Sequence, residues 1–192
     1  MKYELAEKRL FLALPIDPVE PSLEKMQQLK KLLRGYRIKW VEKENMHLTL
    51  FFFGEVVTEK IPVLRALIRS ALSNFKAFDY KISAPGLFKS QQEPRVLWLG
   101  IEAPNALFIL KQKVDEAVNT LGFEADGKKF RPHLTMGRFA PKQTILPQLQ
   151  TVLNDQDLQN EIFCTANKVI LFESKLTSNG PIYSEIEVFT LQ

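Results

Sequence analysis

At 192 residues, 45% apolar and 25% charged, the chain is long enough to bury a proper core and short for two independent domains. Its single cysteine, Cys164, excludes an internal disulfide, and no apolar run approaches the roughly 20 residues that a bilayer-spanning helix needs. The net charge of +4 allows an anionic partner without demanding one, because charge of this size is common on soluble proteins.

The N-terminal MKYELAEK carries Glu4 and Glu7 and has no small-residue cleavage site, so a cytoplasmic protein without a signal peptide is expected. RLFLALPID alternates and predicts a strand. Pro21 and Ser22 open a helix with Leu23, Met26, Leu29 and Leu33 on one stripe, and Gly35 closes it. A short loop holding Trp40 and Asn45 leads into the strand MHLTLFFF. Thr58 then caps a second helix carrying Ile61, Leu64, Leu67, Ile68, Leu72 and Phe75. Two strands follow near 78 to 88 and 95 to 101, joined by the turn-rich KSQQEPR.

Pro104 and Asn105 begin a third helix, with Leu107, Leu110, Val114, Val118 and Leu121 on its apolar face and Gly122 at its end. RPHLTMGRFA supplies a second His-Leu-Thr strand. A helix near 143 to 154 comes next, then strands near 162 to 173 and 182 to 191, separated by the loop ESKLTSNGP. Helix, His-Leu-Thr strand, helix and hairpin therefore occur twice, at a nearly constant offset of about 84 to 86 residues. The expectation is one domain over 1–192 made of two pseudo-repeats, approximately 17–102 and 103–192. Each repeat places one of the chain's two histidines on the equivalent strand.

On a strand, side chains alternate between faces, so His47 and Thr49 oppose Leu48 and Leu50, as His133 and Thr135 oppose Leu134 and Met136. Two such strands related by an approximate two-fold axis would face two imidazoles across a cleft, each with a hydroxyl beside it, an arrangement suited to a tetrahedral anion. Phosphoryl chemistry needs a base for the attacking oxygen, an acid for the leaving oxygen and fixed donors for the equatorial ones. One neutral and one protonated histidine meet the first two needs. Unperturbed histidine titrates near 6.5, so both forms are expected near neutrality without large shifts. A strained cyclic phosphodiester suits this modest apparatus better than an inert monoester, and it requires no metal or other cofactor. Two histidines cannot close a zinc site, and neither motif adds Asp, Glu or Cys at i+2 or i+4. Neither a G-x-S-x-G elbow nor a Walker-type phosphate loop is present. Basic residues gather before each motif: Lys25, Lys30, Lys31, Arg34, Arg37 and Lys39 before the first, Lys128, Lys129 and Arg131 before the second.

With these residues, the chain resembles the 2H phosphoesterase superfamily, named for two H-x-[ST]-x motifs, here HLTL at 47–50 and HLTM at 133–136. Within it the likeness is to the prokaryotic RNA 2',3'-cyclic phosphodiesterases, historically labelled 2'-5' RNA ligases. It runs through RLFLALPID, KWVEKENMHLTLFFFGEV, RVLWLGI, LGFEADGKKFRPHLTMGRF and NGPIYSEIEVFTL. The resemblance implies an α+β, bilobed 2H phosphoesterase-like fold: two pseudo-symmetric lobes, each an antiparallel sheet flanked by helices, with a central cleft. It implies an enzyme that opens 2',3'-cyclic phosphates at RNA 3' ends, or on small nucleotides, to 2'-phosphomonoesters. His47 would be the acid for the departing 3' oxygen and His133 the base for water. Thr49, Thr135 and Arg138 would hold phosphate oxygens.

Arg138 lies five residues after His133, an odd spacing that turns it away from the histidine unless Gly137 marks a bulge or the strand end. In the first motif Phe52 stands at that offset, and Phe51 and Phe53 share the His47 face, where Phe51 could present a ring to a nucleobase; Trp98 and Tyr183 are further rings of that kind. Two alternatives stay open: joining a cyclic-phosphate end to a 5'-hydroxyl in the same cleft, and a non-catalytic RNA-end binder. No membrane partner is expected, and the chain is expected to be a monomer.

Overall fold

The computed structural model describes residues 6–90, 93–125, 127, 129–145, 147–178 and 180–192. Along the chain run β1 (Glu7–Pro15), α1 (Glu20–Leu32), β2 (Ile38–Trp40), β3 (His47–Val57), α2 (Ile61–Leu72), β4 (Phe78–Ser90) and β5 (Glu93–Glu102). They are followed by α3 (Asn105–Asn119), β6 (His133–Phe139), α4 (Pro147–Leu153), β7 (Ile162–Ala166), β8 (Lys168–Thr177) and β9 (Gly180–Thr190). The segments KSQQEPR and ESKLTSNGP, expected as loops, largely continue the flanking strands into long hairpins. Trp40, expected in a loop, lies on the three-residue strand β2.

The strands form two antiparallel sheets, β3-β1-β8-β9 and β2-β6-β5-β4-β7. Apolar alternation sets the buried face of β5, where Leu97 and Leu99 are fully buried, whereas β1 is buried on both faces from Leu10 to Leu14. Helices cover those faces. α2 and α3 pack on one another, α3 against β3 and α2 against β9, where Arg65 and Arg69 both bind Glu187; α4 lies against β4. The stripes follow the expected spacing, with Leu64, Ile68, Leu107, Leu110 and Val114 fully buried. No helix among the described residues is long and apolar enough to cross a membrane.

Neither sheet is built from one half of the sequence. The His47 sheet takes β1 and β3 from the N-terminal half and β8 and β9 from the C-terminal half; the His133 sheet joins β6 and β7 to β2, β4 and β5. The lobes are thus not the stretches 17–102 and 103–192. The exchange is centred where Phe78–Ile82 pairs antiparallel with Ile162–Ala166, Tyr80 opposite Cys164. Tyr80 and Cys164 are both nearly inaccessible. Cys164 is a small core residue there.

Candidate active site

Burial along β3 and β6 breaks alternation at the same place. From His47 to Phe53 and from His133 to Phe139, two consecutive residues are buried at positions four and five, Leu50 and Phe51 in one strand and Met136 and Gly137 in the other. The pairing registers give the cause. Opposite β1, Leu12 faces Phe51 while Ala13 faces Thr49, leaving Leu50 as an extra residue. Opposite β5, Leu97 faces Gly137 while Trp98 faces Thr135, leaving Met136 extra. A bulge of one residue shifts the parity of everything after it. His133, Thr135 and Arg138 therefore share one face, as do His47, Thr49 and Phe52. Gly137 has a second duty: a Cβ there would lie 2.6 Å from Ile38 Cγ2, so only glycine lets β2 close against β6.

The two imidazoles are held in the same way. His47 Nδ1 is 2.8 Å from the Asn45 carbonyl and His133 Nδ1 is 2.7 Å from the Arg131 carbonyl, each two residues back along the chain. A carbonyl only accepts, so both rings carry their proton on Nδ1, which leaves Nε2 as the free, basic nitrogen. His47 Nε2 is 3.1 Å from Thr49 Oγ1, whose hydroxyl donates to it. Each ring also stands on aromatic neighbours. His47 lies 4.8 Å from Phe11 and 5.4 Å from Tyr183, centroid to centroid, and His133 lies 4.9 Å from Phe88 and 6.5 Å from Trp98. The Trp98 ring fits only because residue 86 is glycine, where a Cβ would approach it to 2.2 Å.

This apolar floor controls protonation. Burial pushes His47 down to about 4, against the Asn45 carbonyl, which favours the charged ring; His133 and Arg138 add repulsion. Burial also lowers His133, opposed by the Arg131 carbonyl and assisted by Arg138. Both groups thus feel Arg138, and His47 feels His133, which brings the two strands into one electrostatic site. The expectation of near-unperturbed histidines does not hold: burial shifts both toward the neutral form. Among the described residues no three His, Cys, Asp or Glu side chains gather as a metal-binding group.

Five of the six predicted side chains, His47, Thr49, His133, Thr135 and Arg138, lie on the two cleft faces. Phe51 does not. The bulge at Leu50 turns it into the core at 4% exposure, beside Phe53, and the ring presented outward is Phe52, 51% exposed with the Arg9 guanidinium 4.6 Å from its centroid. Trp98 and Tyr183 are cleft rings, packed against His133 and His47. Phe11 and Phe88 carry no sequence signal as site residues, because an aromatic in an alternating strand reads as core. Lys39 belongs by sequence with the helix cations; the pairing of β2 puts it directly opposite Arg138. Lys128 lies outside the described residues.

With this geometry in view, comparison with known proteins is informative. The family model of the 2'-5' RNA ligase superfamily matches residues 15–176. The chain belongs to that superfamily. Similar members include an RNA 2',3'-cyclic phosphodiesterase of Archaeoglobus fulgidus, 35% identical over 94% of this chain and 99% of that protein. Another, from Thermotoga maritima, is 32% identical over 91% of both chains. In the superfamily's fold, the crystal structure of TT0787 of Thermus thermophilus matches with a TM-score of 0.78 at 26% identity, covering 95% of this chain and 97% of that one. Escherichia coli LigT, crystallised with 3'-AMP, matches at 0.75 and 23% identity over 97% and 99% of the chains.

Proposed function

We propose that the protein hydrolyses RNA 2',3'-cyclic phosphate ends to 2'-phosphomonoesters by two-histidine acid/base catalysis without a metal. The observation that carries this reading is the matched anchoring of His47 and His133 through Nδ1, which leaves two Nε2 atoms, two threonine hydroxyls and one arginine on the facing strands. The relatives' common name, RNA 2',3'-cyclic phosphodiesterase, supports the same substrate class.

His133 Nε2 takes a proton from water as the water oxygen bonds to phosphorus. The bond from phosphorus to the 3' oxygen breaks on the opposite side, and His47 Nε2 delivers a proton to that oxygen. Thr49, Thr135 and Arg138 hold the non-bridging oxygens, where charge increases. The acid must be protonated although burial disfavours it. The substrate's own negative charge supplies the missing counter-charge, so binding brings a proton into the cleft. Burial depresses both His133 and His47, so the charge of the bound anion is what selects the protonated ring.

The deciding experiment offers a short RNA ending in a 2',3'-cyclic phosphate, with EDTA present, and identifies the product. A 2'-monoester is expected. A 3'-monoester would reverse which oxygen leaves, and turnover that depends on an added divalent ion would overturn the metal-free mechanism. His47→Ala and His133→Ala should each remove most of the rate, the double variant being little worse than either. An aryl phosphodiester, whose leaving group needs no acid, should partly rescue His47→Ala alone; rescue of His133→Ala instead would exchange the two roles.

A further inference from the structure

We infer that the groove beside Arg138 is a subsite for the ribose-phosphate chain on the 5' side of the terminal nucleotide, so that oligonucleotide ends are preferred over a cyclic mononucleotide. The inference rests on the cyclic-phosphate reading above. Its physical basis is β2, which lies outside β6 where β3 has no such neighbour. The His133 sheet has five strands and the His47 sheet four, and the additional strand lies outside β6. Its register sets Lys39 directly opposite Arg138. The pairing continues one step further, with Ala140 N donating to Arg37 O at 2.9 Å and Arg37 N donating to Gln143 Oε1 at 2.7 Å. Alternate strand residues share a face, so Arg37 and Lys39 point the same way as Arg138. An open, shallow groove of about 450 Å³ lies at this strand edge, bounded by the three cations and by Ile38, Phe139 and Ala140.

Lys8, Arg9, Lys43, Arg65, Arg69, Lys81, Arg95, Lys111 and Lys175 each meet a carboxylate. Among the described residues Arg37, Lys39 and Arg138 meet none, which is true also of other exposed cations such as Lys31 and Lys60; what sets these three apart is that they stand together beside the His133 strand. The groove also adjoins the catalytic strands directly. The start of β9 approaches Lys39 from the other sheet, a Cβ on Gly180 lying 3.4 Å from Lys39 Nζ. The same strand accepts a hydrogen bond from Asn45 Nδ2 at Pro181 O, 3.2 Å, and Asn45 is the residue whose carbonyl orients His47.

Cations at alternate positions of a strand are about 6.7 Å apart, close to one step of an extended nucleotide backbone. Such a row binds phosphodiesters regardless of sequence by releasing their counterions. A cyclic mononucleotide carries no second phosphate and engages Arg138 alone.

The test compares wild type, Lys39→Gln, Arg37→Gln and the double variant on 2',3'-cyclic AMP and on a short RNA with the same terminal nucleotide. Binding of a short RNA ending in a 2'-phosphate is followed in parallel by fluorescence anisotropy at several salt concentrations. In the double variant, kcat/KM on the RNA should fall about tenfold with the mononucleotide almost unaffected, and the log–log salt slope of RNA binding should become shallower by about 0.7 for each cation removed. Equal losses on both substrates, or no loss on RNA, would overturn the subsite. Wild type that turns over neither substrate, yet binds RNA through Lys39 and Arg37, would overturn the hydrolysis reading and leave the subsite standing.

Discussion

Between about pH 6.5 and 4 an unfolded chain takes up a proton at His47 that the folded protein refuses, because burial beside Phe11 and repulsion from His133 and Arg138 disfavour the charged ring. The unfolded state binds more protons in that window, so stability rises with pH across it and is lost on acidification. Wild type should therefore lose more stability between pH 7 and 4.5 than a His47→Asn variant does, by on the order of 2 kcal/mol. Parallel urea titrations at the two pH values measure it, and equal losses would mean that the ring is solvated. The neighbouring phenylalanines separate as sharply. Phe51→Ala should cost about 3–5 kcal/mol because it opens a cavity in the core. Phe52→Ala, at a half-exposed ring, should leave the melting temperature nearly unchanged and raise KM for RNA substrates several-fold. If Phe52→Ala instead lowers stability and spares KM, that ring serves packing.

The extra residue just after each His-Leu-Thr, Leu50 in β3 and Met136 in β6, decides which of the next side chains reach the cleft. In β6 the bulge brings Arg138 round to His133, and Gly137 then has to pass close against β2. Gly137→Val would press on Ile38 Cγ2 and the Lys39 carbonyl, 2.6 and 3.2 Å from the new Cβ. Such overpacking should destabilise by about 1–3 kcal/mol, and displacement of β2 and Arg138 should lower kcat/KM beyond what reduced folding explains. Gly35→Ala, with nothing within 4 Å of its Cβ, is the control and should be close to neutral. A fully active Gly137→Val would show that β2 can retreat without moving Arg138.

Strand exchange makes the two lobes interdependent. Each sheet is completed by strands from the other half of the chain, and β4 meets β7 with Tyr80 opposite Cys164. A fragment of residues 17–102 lacks β1, β8 and β9, so β3 has no partner strand; a fragment of 103–192 leaves β6 without β5 or β2. Separately, neither should show a cooperative thermal transition or dispersed amide resonances, because unpaired strand edges and uncovered apolar faces remain. Cooperative melting by either fragment alone would contradict the exchanged architecture.

Much of this protein is legible in the order of its residues. Leu10, Leu12 and Leu14 at alternate positions, and Leu64, Ile68 and Leu107, Leu110, Val114 at helical spacing, specify local elements through periods that need no distant partner. The repeated His-Leu-Thr, using both histidines of the chain, points to a paired site and to its family. Other features have no local cause. β2 is three residues long, too short to show a period, and is a strand only because β6 pairs with it. The bulges at Leu50 and Met136 exist because β1 and β5 impose their registers, and they alone put Arg138 in the site and Phe51 in the core. The depressed histidines depend on rings brought from β1, β4, β5 and β9. Residue order alone specifies the chemical groups and the longer periodic elements, since both rest on near neighbours. Tertiary structure decided which groups face one another and how they are charged, since pairing register and burial come from residues far apart in the chain.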